Sequence, residues 1–334
     1  MRLDRRTILK LLIGSSALSA LPIAPRNAVS QQVYPTKPIR VIVPFPAGGP
    51  IDGVPRMVAQ NLGDRLKWTT VFENRPGANG QIGAMAIKQA APDGYTIGAV
   101  TSLTHGSAPA IKRDIPYDAR KDFSPIMLLA EGAMLLLVRD EVPARSLKEF
   151  LDLLKDRPGT LNFSSAGLLS QNYLAAAMLF QRAGLAANAA LHVPYAGIAP
   201  AVTALLSGTV QFMITSTGPA AQHIENGTLR ALATTGAERS TRFPNVPTIA
   251  ESGFPGFKVT SWVGLAAPAG TPEDIIARWN AETNELFKSA EVREQIVKSD
   301  YDVRGGSSAH LAELIASDIA QYRKLAEDMK LTVD

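Results

Sequence analysis

Ile39-Arg40-Val41-Ile42-Val43-Pro44-Phe45-Pro46-Ala47-Gly48-Gly49 is the stretch that decides the architecture. Its β-branched run reads as a buried strand, Pro44 stiffens the exit, and the glycine pair opens a turn. A helix with apolar periodicity follows over about 54–66. Thr69-Thr70-Val71-Phe72 reads as a second strand and Tyr95-Thr96-Ile97-Gly98-Ala99-Val100 as a third, after a Pro92-Asp93-Gly94 turn. Strands alternating with helices predict βαβ units and a mostly parallel sheet, with ligands at the carboxyl ends of the strands. The later half repeats the rhythm: a helix near 147–155, a strand at 161–163, a helix over 172–183 and a strand ending at Val193. Val193-Pro194-Tyr195, followed by Ala196-Gly197 and a helix near Pro200, echoes Val43-Pro44-Phe45. The echo predicts two similarly built α/β lobes whose loops face one another.

The first thirty residues read as an address. Arg2, Arg5, Arg6 and Lys10 form a basic region, Leu11 to Leu21 is apolar, and Ala28-Val29-Ser30 supplies small residues for cleavage. Eleven residues at ~1.5 Å each span about half of a ~30 Å hydrocarbon core, too little for a lasting membrane span. Arg5-Arg6 also resembles a twin-arginine export signal, so the twin-arginine and general secretory routes both stay open.

These residues hold five of the 34 Lys+Arg and one of the 30 Asp+Glu, leaving 29 of each in the mature chain. The basic balance therefore belongs to the leader and gives no reason to expect nucleic acid or an anionic surface as partner. The absence of cysteine excludes disulfides, thiolate metal sites, a cysteine nucleophile and a lipidated anchor. No G-x-S-x-G elbow, Walker A loop or H-E-x-x-H pair occurs, and the four histidines lack metal-ligand spacing. The expectation is a soluble, monomeric binding protein with no cofactor, no metal and no catalytic residues.

Further motifs carry a resemblance. Tyr34-Pro35-Thr36-Lys37-Pro38-Ile39-Arg40, Val43-Pro44-Phe45-Pro46-Ala47-Gly48-Gly49, Glu73-Asn74-Arg75-Pro76-Gly77-Ala78 and Ala91-Pro92-Asp93-Gly94-Tyr95-Thr96 run in order along the chain. Lys121-Asp122-Phe123, Val193-Pro194-Tyr195, Val246-Pro247-Thr248 and Ala267-Pro268-Ala269-Gly270-Thr271-Pro272 continue the series. Together they resemble the Bug family, the extracytoplasmic solute receptors of tripartite tricarboxylate transporters. The resemblance implies a periplasmic-binding-protein (Venus flytrap) clamshell of two Rossmann-like lobes, with 31–132 and 262–334 forming lobe 1 and 133–261 lobe 2. It also implies a small organic carboxylate held between the lobes, partly through water, and membrane transporter subunits as partners. The same fold feeding a signalling system is the alternative.

Within that frame the candidate ligand contacts follow from chemistry. Phe45, Ala47, Gly48 and Gly49 join a strand to a helix, so backbone N–H groups and the helix's positive end are available to an anion. Asp52 either positions a bridging water, as in the family pattern, or caps the helix that follows. Asn79 and Gln81 stand near the start of another helix, and His105 follows the third strand. Ser164 and Ser165 offer hydroxyl donors from a strand-to-helix turn in which Ser170 is the best helix cap. Tyr195 presents a ring edge or hydroxyl. Thr215 stands where many relatives of the family carry Asp, which argues against an amino group on the ligand and for a second carboxylate, hydroxyl or aromatic ring.

Overall fold

The computed structural model describes residues 34–48, 50–186 and 188–331. The stretch expected to be an export leader and Gly49 lie outside the described residues. β1 (Ile39–Val43) is the buried strand expected from its sequence. It is paired in parallel with β2 (Thr70–Asn74) on one side and β3 (Thr96–Thr101) on the other. Helix α1 (Pro50–Leu66) returns across the sheet and buries Val54, Val58, Ala59 and Leu62, a stripe at helical spacing. Helix α2 (Gln81–Lys88) links β2 to β3. A π-helical turn (Ser102–Ser107) and the short α3 (Ala108–Ile111) lead from β3 to the long β4 (Phe123–Ala133).

One residue, Met134, separates β4 from β5 (Leu135–Arg139), which belongs to a different sheet. α4 (Leu147–Asp156), β6 (Asn162–Ser165), α5 (Gln171–Arg182), β7 (Leu191–Pro194), α6 (Ile198–Leu206), β8 (Phe212–Thr215), α7 (Ala221–Glu225) and β9 (Leu229–Thr234) follow. β10 (Thr260–Pro268) returns to the first sheet, followed by α8 (Glu273–Leu286), α9 (Ala290–Val297), β11 (Asp302–Val303) and α10 (Ser308–Met329). The first sheet has the order β11-β4-β10-β3-β1-β2 and the second β7-β6-β8-β5-β9.

The sheets are mixed rather than mostly parallel. β10 runs antiparallel to both β3 and β4, and β5 runs antiparallel to both β8 and β9. The reason is topological: β4 and β10 carry the chain out of and back into the first sheet, so they run against each other, while the βαβ strands β1–β3 and β6–β8 stay parallel. Along β5, Leu136 and Val138 face a core shared with α4 and α5, whereas Leu135 and Leu137 face α6. Both faces of the second sheet are thus covered, as the period of two requires.

α10 joins the two cores. Leu311, Ile315 and Ile319 pack with Ile42, Val100 and Trp262 of the first lobe, and Tyr322, Leu325 and Ala326 pack with Leu136, Phe163 and Phe212 of the second. Each buried leucine or isoleucine among these stabilises by about 1.5–3 kcal/mol relative to exposure. The edges of the sheets that carry the chain crossings also carry the carboxyl ends of the parallel strands. Leu135 pairs with Thr215 at the end of β8, and Val263, near the start of β10, pairs with Thr101 at the end of β3. The loops that follow these strands are therefore brought to the seam between the lobes.

Candidate functional site

The first-lobe turn is built around a charge. Asp52, 3% exposed, is the third residue of α1 and so does not cap it, contrary to one of its two expected roles. Its carboxylate accepts from Arg56 Nη2 at 2.8 Å, Arg56 Nε at 3.2 Å, Asn74 Nδ2 at 2.8 Å and the Gly48 N–H at 3.1 Å. Burial pushes this carboxyl up, but the donors from Arg56, Asn74 and Gly48 outweigh it and hold the group below the usual carboxylate range. Asn74 Nδ2 also donates to the Phe45 carbonyl at 2.9 Å, which closes the turn. The Gly48 N–H, expected to face an anion, is thus donated to Asp52. Gly48 has φ +92°, with open space where a Cβ would stand, and Ala47 beside it is exposed.

Phe45 reaches the second glycine-rich turn. A Cβ on Gly80 would lie 3.1 Å from Phe45 Cζ and 2.6 Å from Thr104 Cγ2, so only glycine fits there. Gly77, Ala78, Asn79 and Gly80 all have positive φ (125°, 47°, 55° and 85°). In the two non-glycines this costs roughly 1–2 kcal/mol each. Asn79 is exposed at the apex. Gln81 opens α2 with its side chain buried, and its Nε2 has no hydrogen-bond partner.

His105 packs among aromatic rings. The ring is fully buried, 4.4 Å from Phe123 and 5.9 Å from Tyr117, with Nδ1 3.0 Å from Thr104 Oγ1. Burial pushes the imidazole down to about 3, so it is neutral inside the first-lobe core. The π-helical turn that carries it is pinned by reciprocal bonds between Thr101 and Thr104. Ser107, at its end, donates to the Leu169 carbonyl at 2.8 Å and ties this turn to the second lobe.

The second-lobe turn is held by neutral groups. Ser164 Oγ donates to the Ala201 carbonyl of α6 at 3.0 Å. Ser165 Oγ accepts from the Gly167 N–H at 3.1 Å and lies 2.7 Å from His192 Nε2. Burial pushes His192 down to about 4, so Ser165 meets a neutral imidazole at pH 7. Ser170 caps α5 by accepting from the Tyr173 N–H, as expected. Tyr195 donates its backbone N–H to the Ser165 carbonyl at 2.9 Å, and its ring packs on the α6 core. Thr215 is fully buried and its Oγ1 has no partner.

The fold therefore gathers Phe45, Ala47, Gly48, Asp52 and Gln81 on the first-lobe edge and Ser164, Ser165, Tyr195 and Thr215 on the second-lobe edge, with His105 buried against Phe123 and Tyr117 behind the first. Buried polar groups are normally paired. Among the described residues four buried side-chain atoms are not: Gln81 Nε2, His105 Nε2, Gln171 Nε2 and Thr215 Oγ1. Gln171 gives no signal in the sequence, because its environment comes from Tyr322 of α10, whose hydroxyl donates to Gln171 Oε1 at 2.6 Å. The surface grooves of about 400 and 180 Å³ lie elsewhere, along α3 and the second half of α10, and hold none of these groups.

Residues 54–331 match the profile of the tripartite tricarboxylate transporter family receptor. Protein BugT of Bordetella pertussis is 38% identical over 271 residues, covering 80% of this chain and 81% of BugT. MatC from Rhodopseudomonas palustris, solved with bound malate, is 33% identical with a TM-score of 0.73, covering 87% of this chain and 99% of MatC. An R. palustris protein solved with adipate is 29% identical with a TM-score of 0.77, covering 90% of this chain and 99% of its own.

Proposed function

Since the chain belongs to the tripartite tricarboxylate transporter receptor family, whose members are solute-binding receptors, we propose that it captures a small organic carboxylate between its lobes and delivers it to a membrane transporter of that type. The observation that carries this reading is the pairing of two glycine-containing turns at the lobe seam with buried, partnerless donors at Gln81 and Thr215. Neutral donors suit a carboxylate that must be released again. Arg56, on the helix that follows Gly48, is already engaged by Asp52, so this turn offers hydrogen bonds rather than a free cation.

Phe45, Ala47, Gly48, Gly49, Asn79 and Gln81 form the first-lobe wall in this reading, and Ser164, Ser165, Tyr195 and Thr215 the second. Asp52 holds the first wall in shape. The malate and adipate bound by the two R. palustris proteins support an acid of a few carbons as ligand. Removal of 1–30 on export, residence in the periplasm, the lobe boundaries 31–132 with 262–334 and 133–261, a monomeric state and the absence of catalysis complete the proposal.

Native mass spectrometry of freshly purified protein should find a co-purified organic acid, and calorimetry should then give saturable one-site binding of that acid. Neither a bound acid nor saturable binding to any of a panel of C3–C10 carboxylates would overturn the reading.

A further inference from the structure

The chain passes between the two sheets after β4 and again ahead of β10, and α10 bridges the two cores. One cluster of ionisable groups sits on all three connections. Glu131, near the end of β4 and buried, accepts from Lys258 Nζ at 2.6 Å, Thr260 Oγ1 at 2.6 Å and Arg304 Nε at 2.8 Å. Burial pushes this carboxyl up, but the donors outweigh it and hold the group below the usual carboxylate range.

Asp318, half-buried on α10, is the second carboxylate of the cluster and is served differently. Trp262 Nε1 of β10 donates to its Oδ2 at 2.7 Å, and no other hydrogen bond or ion pair reaches it among the described residues. Its side chain lies against Gly106 of the π-helical turn, where a Cβ would come 3.0 Å from Oδ2. That turn brings no charge, because His105 beside Gly106 is neutral. Lys258 attracts the Asp318 carboxylate but is already bonded to Glu131, and Glu131 repels it. Tyr322, one turn further along α10, keeps its proton and donates to Gln171 Oε1 at 2.6 Å, at the start of α5 in the second lobe. Burial pushes the Asp318 carboxyl up to about 6, against the pull of Trp262 and Lys258. An ionised carboxylate with one neutral donor is poorly compensated for the water it has lost.

We propose that Asp318 is a proton-dependent latch between the lobes: protonated, it keeps α10 seated against Trp262 and Gly106, and ionised, it draws water into that seat and frees the lobes to turn. The coupling runs along α10, since a shift of the helix at Asp318 also moves Tyr322 and its bond to the second lobe. The sign follows from linkage. The seated arrangement holds the proton up to about pH 6 and a hydrated one only to the ordinary 3.8, so seating is favoured in acid and lost as the pH rises through 6. Between pH 4.5 and 7 the ratio of released to seated molecules should rise by up to about twentyfold, with little change above 7.

The chain has no cysteine, so spin labels on Asp64→Cys of α1 and Lys155→Cys of α4, both exposed, report the distance between the lobes without interference. Double electron–electron resonance on the ligand-free full chain should show the distance distribution changing between pH 4.5 and 7. Asp318→Asn, neutral throughout, should hold the acid distribution at every pH. A distribution that does not respond to pH overturns the latch, and so does a response that persists in Asp318→Asn. Should that variant not fold, Trp262→Phe takes its place: it removes the donor to the ionised form, so the response should extend to higher pH, and an unmoved response overturns the inference. No ligand enters the measurement, so its outcome is separate from the carboxylate reading.

Discussion

The turns after Val43-Pro44-Phe45 and Val193-Pro194-Tyr195 share a plan in sequence and differ in what fixes them. The first is held by a buried carboxylate, with Asp52 gathering Gly48, Arg56 and Asn74. The second is held by neutral contacts, the Tyr195 N–H on the Ser165 carbonyl and Ser165 Oγ beside His192. The two also differ in backbone strain. Among the described residues, every non-glycine with positive φ lies outside 133–261, two of them at Ala78 and Asn79, whereas the left-handed position in the Ser164–Ser170 turn is Gly167. Similar strand-to-helix turns can therefore be stabilised by unlike forces, and the forces predict different responses to substitution and to pH.

The largest expected effect is at Asp52. Asp52→Ala leaves Arg56 without its carboxylate and the Gly48 turn without its tie, and should destabilise by about 3 kcal/mol in denaturant unfolding, because breaking a buried pair strands the remaining charge. Ser165→Ala, in the neutral counterpart, should cost about 1–2 kcal/mol. Equal losses at the two positions would erase the distinction between the turns.

Acidification should separate them next. His192 sits at about 4 against an ordinary value near 6.5, so its contribution is complete above about pH 6.5 and is lost as pH falls toward 4. Asp52 is held below the ordinary 3.8 and keeps its contribution until the pH falls below that value. Between pH 7 and 5, hydrogen-exchange protection factors, taken against the intrinsic rate at each pH, should therefore fall in peptides from 162–195, by roughly 1 kcal/mol of local stability, and not in peptides from 39–80. His192→Gln should flatten the change.

The smallest effect concerns strain. Ala78→Gly at φ 47° should stabilise the first lobe by about 0.5 kcal/mol, the relief of a left-handed alanine less the added freedom of the unfolded chain. Thermal melting with no gain, or with a loss, would mean that the Gly77–Gly80 turn is not under load.

The features legible in the sequence were those that local physics dictates. β1, its glycine turn and the helix after it follow from a β-branched run, a proline and an apolar stripe, and Ser170 caps α5 because a serine before a helical pattern has an N–H within reach. What stayed hidden depends on partners far along the chain. The direction of β10 is set by β4, more than a hundred residues earlier. His105 is drawn inward by Phe123 and Tyr117 rather than outward by its position after β3. Gln171 is an unremarkable first-turn residue until Tyr322 reaches it from α10.

The strand order of the first sheet also sets a timetable. β3 and β4 are consecutive in the chain, yet β10 lies between them. A ribosome adding about 5–20 residues per second delivers every strand of the second sheet, 135–234, and then needs about 1–5 s more before Thr260 emerges. The lobe begun first is thus completed last. Until β10 arrives, the facing edges of β3 and β4 have no partner, and for that interval the nascent chain depends on whatever shields an open edge from its neighbours.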